Sequence, residues 1–107
     1  MSSPTSRTLK LLRDAGDIVE VVERWNPHSR TRHDLFGMFD LLSMDEHGQT
    51  VGVQCCAGAS HAARVAKLRA NPLLTTWMKR HSAAVVSWSK RGARGKRKTW
   101  QARIEAL

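Results

Sequence analysis

Residues Thr31 to Cys56 read T-R-H-D-L-F-G-M-F-D-L-L-S-M-D-E-H-G-Q-T-V-G-V-Q-C-C, and this segment constrains the architecture more than any other. Asp40 opens an apolar run, Asp45–Gly48 has the composition of a hairpin turn, and a second apolar run ends at Gln54. The pattern predicts two antiparallel strands that carry an acid and a polar residue on neighbouring positions. Oxygen donors placed in this way are typical of a site for a divalent cation.

The charge of the chain is high and unevenly distributed. The 107 residues carry a net charge of +9, with −2 over residues 1–46 and +11 over residues 47–107. A strongly basic surface favours an anionic partner, either nucleic acid or an acidic membrane surface. The length predicts one domain, residues 1–107, with a modest core. The basic half is the expected docking surface, whereas the acids lie where a cation would bind.

The N-terminal and cysteine patterns favour a soluble, cytoplasmic protein that has no membrane partner. Met1–Thr5 lacks the apolar core of a signal peptide, and no segment reaches transmembrane length. The only cysteines, Cys55 and Cys56, are adjacent, so they are poorly placed to pair and they fit a reducing compartment. They also lack the spacing of a zinc site.

Eight regular elements are predicted in the order α-β-β-β-α-α-β-β. Ser3-Pro4 is a typical helix start, Gly16 is a typical stop, and Pro27 favours a loop over a central strand. The predicted helices cover about residues 4–15, residues 61–70 and a segment that begins at Asn71-Pro72. The predicted strands cover residues 18–22, 35–44 with an interruption at Gly37, 50–56, 83–88 and 99–104, and residues 25–30 are predicted to form a loop.

This order of elements, together with two short motifs, resembles the PD-(D/E)XK nuclease superfamily over roughly residues 7–104. Phe39-Asp40 stands in the place of the Pro-Asp pair at the head of the second strand. Gln54-Cys55-Cys56 stands fourteen residues later, in the place of E-x-K. Within the superfamily, the chain looks most like the Holliday-junction-resolvase-like branch. The resemblance implies an α/β fold with a restriction-endonuclease-like mixed β-sheet, flanked by helix 1 on one side and helices 2 and 3 on the other.

The resemblance also implies a Mg2+ site, in which Mn2+ can substitute, although the third-strand motif departs from the family. Gln54 replaces the usual carboxylate; its amide oxygen can bind Mg2+, and Asp34 is available to restore the missing charge. The implied metal ligands are therefore Asp34, Asp40 and Gln54. The alternative for Asp34 is a salt bridge with Arg30 or Arg32.

A cation near the reacting phosphate is also needed, because Cys56 replaces the lysine that positions or activates the attacking water. In the superfamily this lysine can move to the following helix. We assign the role to Lys67 and, second, to Arg64, which lie three residues apart on one face of helix 2. The implied catalytic residues are Asp40, Gln54, Lys67 and Arg64.

Three further residues near the predicted site have two interpretations each. Glu20 and Glu23 flank the site in sequence and are either accessory acids or members of a solvated strand face. His61, at the start of helix 2, either contacts phosphate or water or simply begins the helix.

Residues 90–98 hold six cations in nine residues, and glycines at both ends of the segment 92–95 predict a hairpin loop between two strands. Such a loop binds phosphates without reading sequence and with strong salt dependence, whereas the alternatives are a solvated face or a localisation signal. Trp25 lies beside Asn26-Pro27 and is the candidate for stacking on a base. The expected nucleic-acid contacts are Lys90, Arg91, Arg94, Lys96, Arg97, Lys98 and Trp25.

The expected function is a Mg2+-dependent DNA endonuclease that hydrolyses phosphodiester bonds, including those of branched or Holliday-junction DNA, as the resemblance implies. A homodimer is expected on the same ground, since two strands of a junction must be cut. The small size would suit a phage or mobile element. One alternative is a degenerate member of the family that binds DNA without cutting it. Another is a basic RNA-binding protein.

Overall fold

The computed structural model describes residues 3–95 and 97–107, and its first helix shows how local sequence sets the bounds of an element. Helix α1 spans Pro4–Asp14. Ser3 caps it, because its side-chain oxygen accepts a hydrogen bond from the Ser6 N–H at 3.1 Å. Gly16 follows the helix at φ +98°, a conformation that glycine adopts without a Cβ clash. The predicted first helix is confirmed.

The described residues form three α-helices and seven strands. The helices are α1, α2 (His61–Ala70), which follows a 3-10 turn at Gly58–Ser60, and α3 (Leu73–Trp77). The strands are β1 (Ile18–Val21), β2 (Arg24–Asn26), β3 (Thr31–His33), β4 (Leu41–Met44), β5 (Thr50–Ala57), β6 (Ser82–Arg91) and β7 (Thr99–Ala106).

Five of the strands form one mixed sheet in the order β1-β4-β5-β6-β7. β1, β4 and β5 form an antiparallel meander. β5 and β6 run parallel, with α2 and α3 in the connection between them, and β7 returns antiparallel to β6. β2 and β3 form a separate two-stranded sheet. The predicted α/β class with a mixed sheet is confirmed.

Each face of the five-stranded sheet carries its own apolar core. On one face, buried Val19 and Leu41 pack with Leu12 of α1. On the other face, buried Phe39 packs with Leu68 of α2, and Trp77 of α3 lies against the same core. α1 therefore covers one face, whereas α2 and α3 cover the other.

Of the segment predicted as a loop, residues 27–30 do form a turn, whereas Trp25 and Asn26 belong to a strand. Arg24–Asn26 pairs with Thr31–His33, and Asn26 accepts hydrogen bonds in the connecting turn through its side-chain oxygen. The two strands of this hairpin were not predicted because they are short and largely exposed, so they show no burial pattern. The order of elements is therefore α-β-β-β-β-β-α-α-β-β in the described residues.

Residues 35–44 are not one strand, as predicted, but a tight turn followed by β4. Leu35 and Phe39 form an isolated bridge across the turn. Phe36 and Gly37 both have positive φ, at 56° and 72°, as in the turns that close tight hairpins. Phenylalanine is a poor sequence signal for such a conformation, so the pattern predicted only a bend at Gly37.

None of the helices within residues 3–95 and 97–107 combines the length and the apolarity needed to span a membrane.

Candidate metal centre

Two successive hairpins bring three carboxylates together. The hairpin of β2 and β3 begins directly after Glu23 and ends directly before Asp34, so these two residues lie across from each other at its base. The tight turn closed by Leu35 and Phe39 then separates Asp34 from Asp40 and sets them across from each other in turn. Backbone pairing, rather than proximity in sequence, therefore creates this acidic cluster of Glu23, Asp34 and Asp40.

The acidic cluster is tight enough for its members to share one cation. One carboxylate oxygen from each residue lies within 4.8 Å of the others. Asp40 is the innermost member, at 5% exposure, while Glu23 and Asp34 are partly buried. The Asp40 Oδ2 accepts a hydrogen bond from the Cys55 N–H at 2.8 Å, which fixes the carboxylate against β5. The sequence prediction that Asp34 lies beside Asp40 agrees with this geometry.

The pKa of Asp40 is raised from 3.8 to about 8. Burial is the largest cause, the Cys55 N–H opposes it, and the nearby carboxylates of Asp34 and Glu23 add to it. Asp40 therefore carries a proton at neutral pH, which relieves repulsion within the cluster. A divalent cation would relieve the same repulsion and replace that proton.

Glu23 is the site residue that sequence reasoning treated only as an accessory acid. Its Oε1 lies 3.2 Å from the Arg32 Nη1, so the β2–β3 hairpin supplies its counter-charge. Its backbone N–H and that of Val22 both donate to the Asp40 carbonyl, at 3.3 and 2.8 Å. Glu20, the other acid considered, is exposed on β1 and lies outside the cluster. From the sequence, the position of Glu23 beside Asp34 could have been predicted only by recognising the β2–β3 hairpin.

Gln54 faces the acidic cluster with its amide nitrogen rather than its oxygen. The Nε2 donates to the Met38 carbonyl at 2.7 Å and to the Asp34 Oδ2 at 3.0 Å. Turning the amide would set its oxygen against the Met38 carbonyl and leave that buried acceptor without a donor. This arrangement departs from the predicted oxygen ligand, because a side chain that donates to Asp34 positions that carboxylate instead of binding the cation itself.

The two cysteines are buried thiols. Burial raises the pKa of Cys55 to about 12, and burial likewise raises the pKa of Cys56, partly offset by the positive charge of Arg64. Neither forms a thiolate at neutral pH, so both side chains are uncharged there. Arg64 is partly buried, whereas Lys67 is exposed.

The predicted nucleic-acid contacts are distributed over two exposed hairpins. Lys90 and Arg91 end β6, and Lys90 lies 5.3 Å from the centre of the Trp100 ring. Trp25, at 58% exposure, lies on the β2–β3 hairpin. The loop cations Arg94, Arg97 and Lys98 are exposed, and Lys96 lies outside the described residues. We refer to residues 90–95 and 97–98 as the cationic hairpin.

His61 is buried at 2% exposure and makes two side-chain hydrogen bonds. Its Nδ1 lies 2.6 Å from the Ser87 Oγ on β6, and its Nε2 lies 3.0 Å from Glu105 on β7. The hydrogen bond from His61 is the main reason why the pKa of Glu105 is lowered. These partners are distant in sequence, so the arrangement could not be foreseen.

The donor set of the acidic cluster fits a hard divalent cation. Mg2+ and Mn2+ favour carboxylate oxygens, and Mg2+ sites commonly combine one or two carboxylates with water and substrate phosphate. We found no protein-family model, curated protein or solved structure that matches this chain.

Proposed function

We propose that this chain is a Mg2+-dependent DNA endonuclease with a PD-(D/E)XK-type fold, which hydrolyses phosphodiester bonds in DNA that includes branched junctions. The observation that carries the proposal is the acidic cluster, with oxygens of Glu23, Asp34 and Asp40 within 4.8 Å of one another in a protein of net charge +9. Negative charge concentrated at one point of a basic surface suits a cation held beside nucleic-acid phosphate.

The arrangement of the strands supports the fold assignment. A helix, an antiparallel meander of β1, β4 and β5, a helical connection and a parallel β6 follow one another as the resemblance implies. The β2–β3 hairpin is an insertion between the first two strands of that plan. Asp40 stands directly before β4, at the position of the family aspartate.

The protein groups have separable roles in the proposed reaction. Asp34 and Asp40 hold the cation, Glu23 adds charge, and Gln54 orients Asp34 through its amide N–H. A bound divalent cation would polarise the phosphoryl oxygen and orient a water molecule. Asp40 must give up its proton before it can bind the ion, so the proposed activity should rise with pH through the pKa of about 8.

Arg64 is the better candidate for the additional cation. Arg64 is partly buried, whereas Lys67 is exposed. The positive charge of Arg64 also lowers the pKa of Cys56, the residue that the resemblance aligns with the family lysine. A fixed guanidinium near the scissile phosphate would stabilise the charge that develops there. We therefore prefer Arg64 to Lys67 for this role, the reverse of the order predicted from the sequence.

A catalytically inactive DNA-binding protein of the same fold is the second candidate. It is favoured by Gln54, which donates to Asp34 where the family has a metal-binding carboxylate, and by Cys56, which stays a neutral thiol. This candidate predicts tight junction binding without cleavage under any metal condition.

A cleavage assay with matched variants tests the proposal. Four-way junction, duplex DNA and RNA of the same sequence are incubated with Mg2+ or Mn2+ at a pH above 8. Wild-type protein should cleave DNA, and Asp40→Asn should abolish cleavage while leaving junction binding intact, because the amide cannot become a charged ligand. Asp14→Asn, which alters an exposed acid on α1, is the control and should cleave normally.

Three outcomes would count against the endonuclease. Tight junction binding without cleavage in either metal would favour the inactive binder. A clear preference for RNA would favour the RNA-binding alternative. Cleavage that survives Asp40→Asn would refute the assignment of the site. Paired cuts in opposing junction strands, with a particle mass twice that of one chain, would support the expected homodimer.

A further inference from the structure

A polar cavity of about 240 Å3 lies over one face of the paired strands β6 and β7. Two arginines, two serines and a glutamine line it, together with backbone at Gly58. The side chains are Ser87, Ser89, Arg91, Gln101 and Arg103. A side chain at Gly58 would collide with the Ser89 hydroxyl, so the glycine keeps this wall of the cavity open. We call this feature the arginine cavity.

The chemistry of the arginine cavity matches an oxyanion. Guanidinium, hydroxyl and amide groups can all donate hydrogen bonds, and among the described residues no carboxylate lines the cavity. Arginine forks are well matched to phosphate oxygens, with paired N–H groups in a fixed plane. Arg103 also lies 3.4 Å from Glu105, which holds its guanidinium near the cavity wall.

We propose that the arginine cavity binds a backbone phosphate of the nucleic acid, a few nucleotides away from the phosphate at the metal centre. This inference rests on the proposed function for the identity of the substrate. Binding itself requires no metal, so it can be measured independently of cleavage.

The sheet register places Gln54, which contacts Asp34 of the acidic cluster, and Arg103 of the arginine cavity on one face of the sheet. Cys56 aligns with Ser87, and Ser87 aligns with Arg103 on the next strand. Arg103 is thus two strands across and two residues along from Gln54, or about 12 Å at the backbone, from the spacings of a β-sheet. That distance corresponds to a few nucleotides along one strand. A single strand of nucleic acid could therefore contact both sites.

The first arm of the test measures affinity for a short single-stranded DNA that lacks terminal phosphates, by calorimetry in EDTA. All proteins carry Asp40→Asn, which removes both cleavage and the titration of that residue. Arg103→Gln should weaken binding about tenfold, the scale of losing a charged hydrogen bond. Arg91→Gln should act similarly. Arg80→Gln is the control, because Arg80 is an exposed cation beyond the opposite end of β6.

The second arm keeps the pH constant and uses inorganic phosphate as a competitor for the arginine cavity. Inorganic phosphate should compete with the oligonucleotide in the Arg80→Gln protein but not in the Arg103→Gln protein.

Equal losses of affinity in Arg103→Gln and Arg80→Gln would overturn the proposal, because any surface cation would then contribute as much as the cavity does. Inorganic phosphate that binds the cavity without affecting the oligonucleotide would overturn the nucleic-acid assignment. Cleavage is compared separately, in proteins that keep Asp40. Normal metal-dependent cleavage with unchanged KM in Arg103→Gln would overturn the role of the cavity and leave the proposed endonuclease intact. Arg103-dependent binding, in a protein that does not cleave even with Asp40 present, would support the cavity and contradict the endonuclease.

Discussion

Asp40 affects both the stability of the folded protein and the proposed binding of a cation. Its carboxylate is buried beside two others and is fixed by the Cys55 N–H. A charged group in this position costs stability, and its raised pKa measures that cost. The proton on Asp40 and a divalent cation are two ways to relieve the same repulsion, so pH and metal concentration should affect the protein together.

The pH dependence of stability follows from the direction of this shift. Between the unfolded value of 3.8 and the folded value of about 8, the folded state holds a proton that the unfolded state has lost. Stability should therefore fall as pH rises from about 5 to about 8, by at most about 1.4 kcal/mol per pH unit from this group. Urea unfolding in EDTA should show this decline, and Asp40→Asn should remove it. A decline that is as steep in Asp40→Asn would mean that other groups cause it.

The relative importance of the two candidate cations is a second prediction at this scale. Arg64→Gln should lower the cleavage rate by about 100-fold, the scale of removing one fixed stabilising donor, whereas Lys67→Gln should have a much smaller effect. The two variants remove the same charge from the same helix, so each is the control for the other. Single-turnover cleavage rates at saturating protein provide the comparison. A larger loss of rate in Lys67→Gln than in Arg64→Gln would show that Lys67 is the additional cation.

At the scale of elements, the packing of β4 against β5 positions the acidic cluster. The Phe39 ring is fully buried and lies over Gly52, where an added Cβ would stand only 2.5 Å from a ring carbon. Gly52→Ala should therefore destabilise the protein by about 1–3 kcal/mol, the usual cost of overpacking a core. Phe39→Leu makes room, so the double variant should lose less stability than the two single losses combined. Strict additivity in urea unfolding would contradict this contact.

The elements that could be predicted from the sequence are those with a burial pattern. β5 is buried along most of its length, and α1 has both a serine cap and a glycine stop, so each could be located closely. The β2–β3 hairpin has polar, exposed strands and offers no such pattern. Because that hairpin sets Glu23 beside Asp34, the sequence without it could not choose between Glu23 as an accessory acid and Glu23 on a solvated strand face.

The directions of side chains were the second feature that could not be predicted from the sequence. Gln54 was located correctly on β5, but its amide orientation depends on the Met38 carbonyl, which the tight turn after Asp34 presents. A turn that requires positive φ at Phe36 is not signalled by that residue type. The sequence could therefore identify the neighbourhood of the site more readily than the donors and acceptors within it.

At the scale of the whole molecule, the separation of charge suggests how the substrate is oriented. The acidic cluster lies beside the second half of β5, and the cationic hairpin follows the end of the parallel strand β6. Both features therefore lie towards the same end of the sheet. A strand of nucleic acid held by the hairpin would run towards the proposed cation.

The salt dependence of DNA binding tests this orientation. Arg97→Gln with Lys98→Gln should flatten the slope of log affinity against log salt by about 2 units, since each lost phosphate contact releases ~0.9 fewer counterions. Lys79→Gln with Arg80→Gln removes an equivalent adjacent pair from the turn before β6 and should leave the slope nearly unchanged. Equal flattening in both proteins would mean that the cationic hairpin is not the docking surface.

Diffraction from crystals soaked in Mn2+ at a pH above 8 would show directly whether the carboxylates bind a metal ion. We expect one anomalous peak within the acidic cluster, about 2.1 Å from an oxygen of Asp34 and of Asp40, and no such peak in crystals of Asp40→Asn. The Gln54 amide should keep its hydrogen bonds to Met38 and Asp34 when the ion is bound. The absence of a peak there in wild-type crystals, or a peak that persists in Asp40→Asn, would contradict the proposed metal centre.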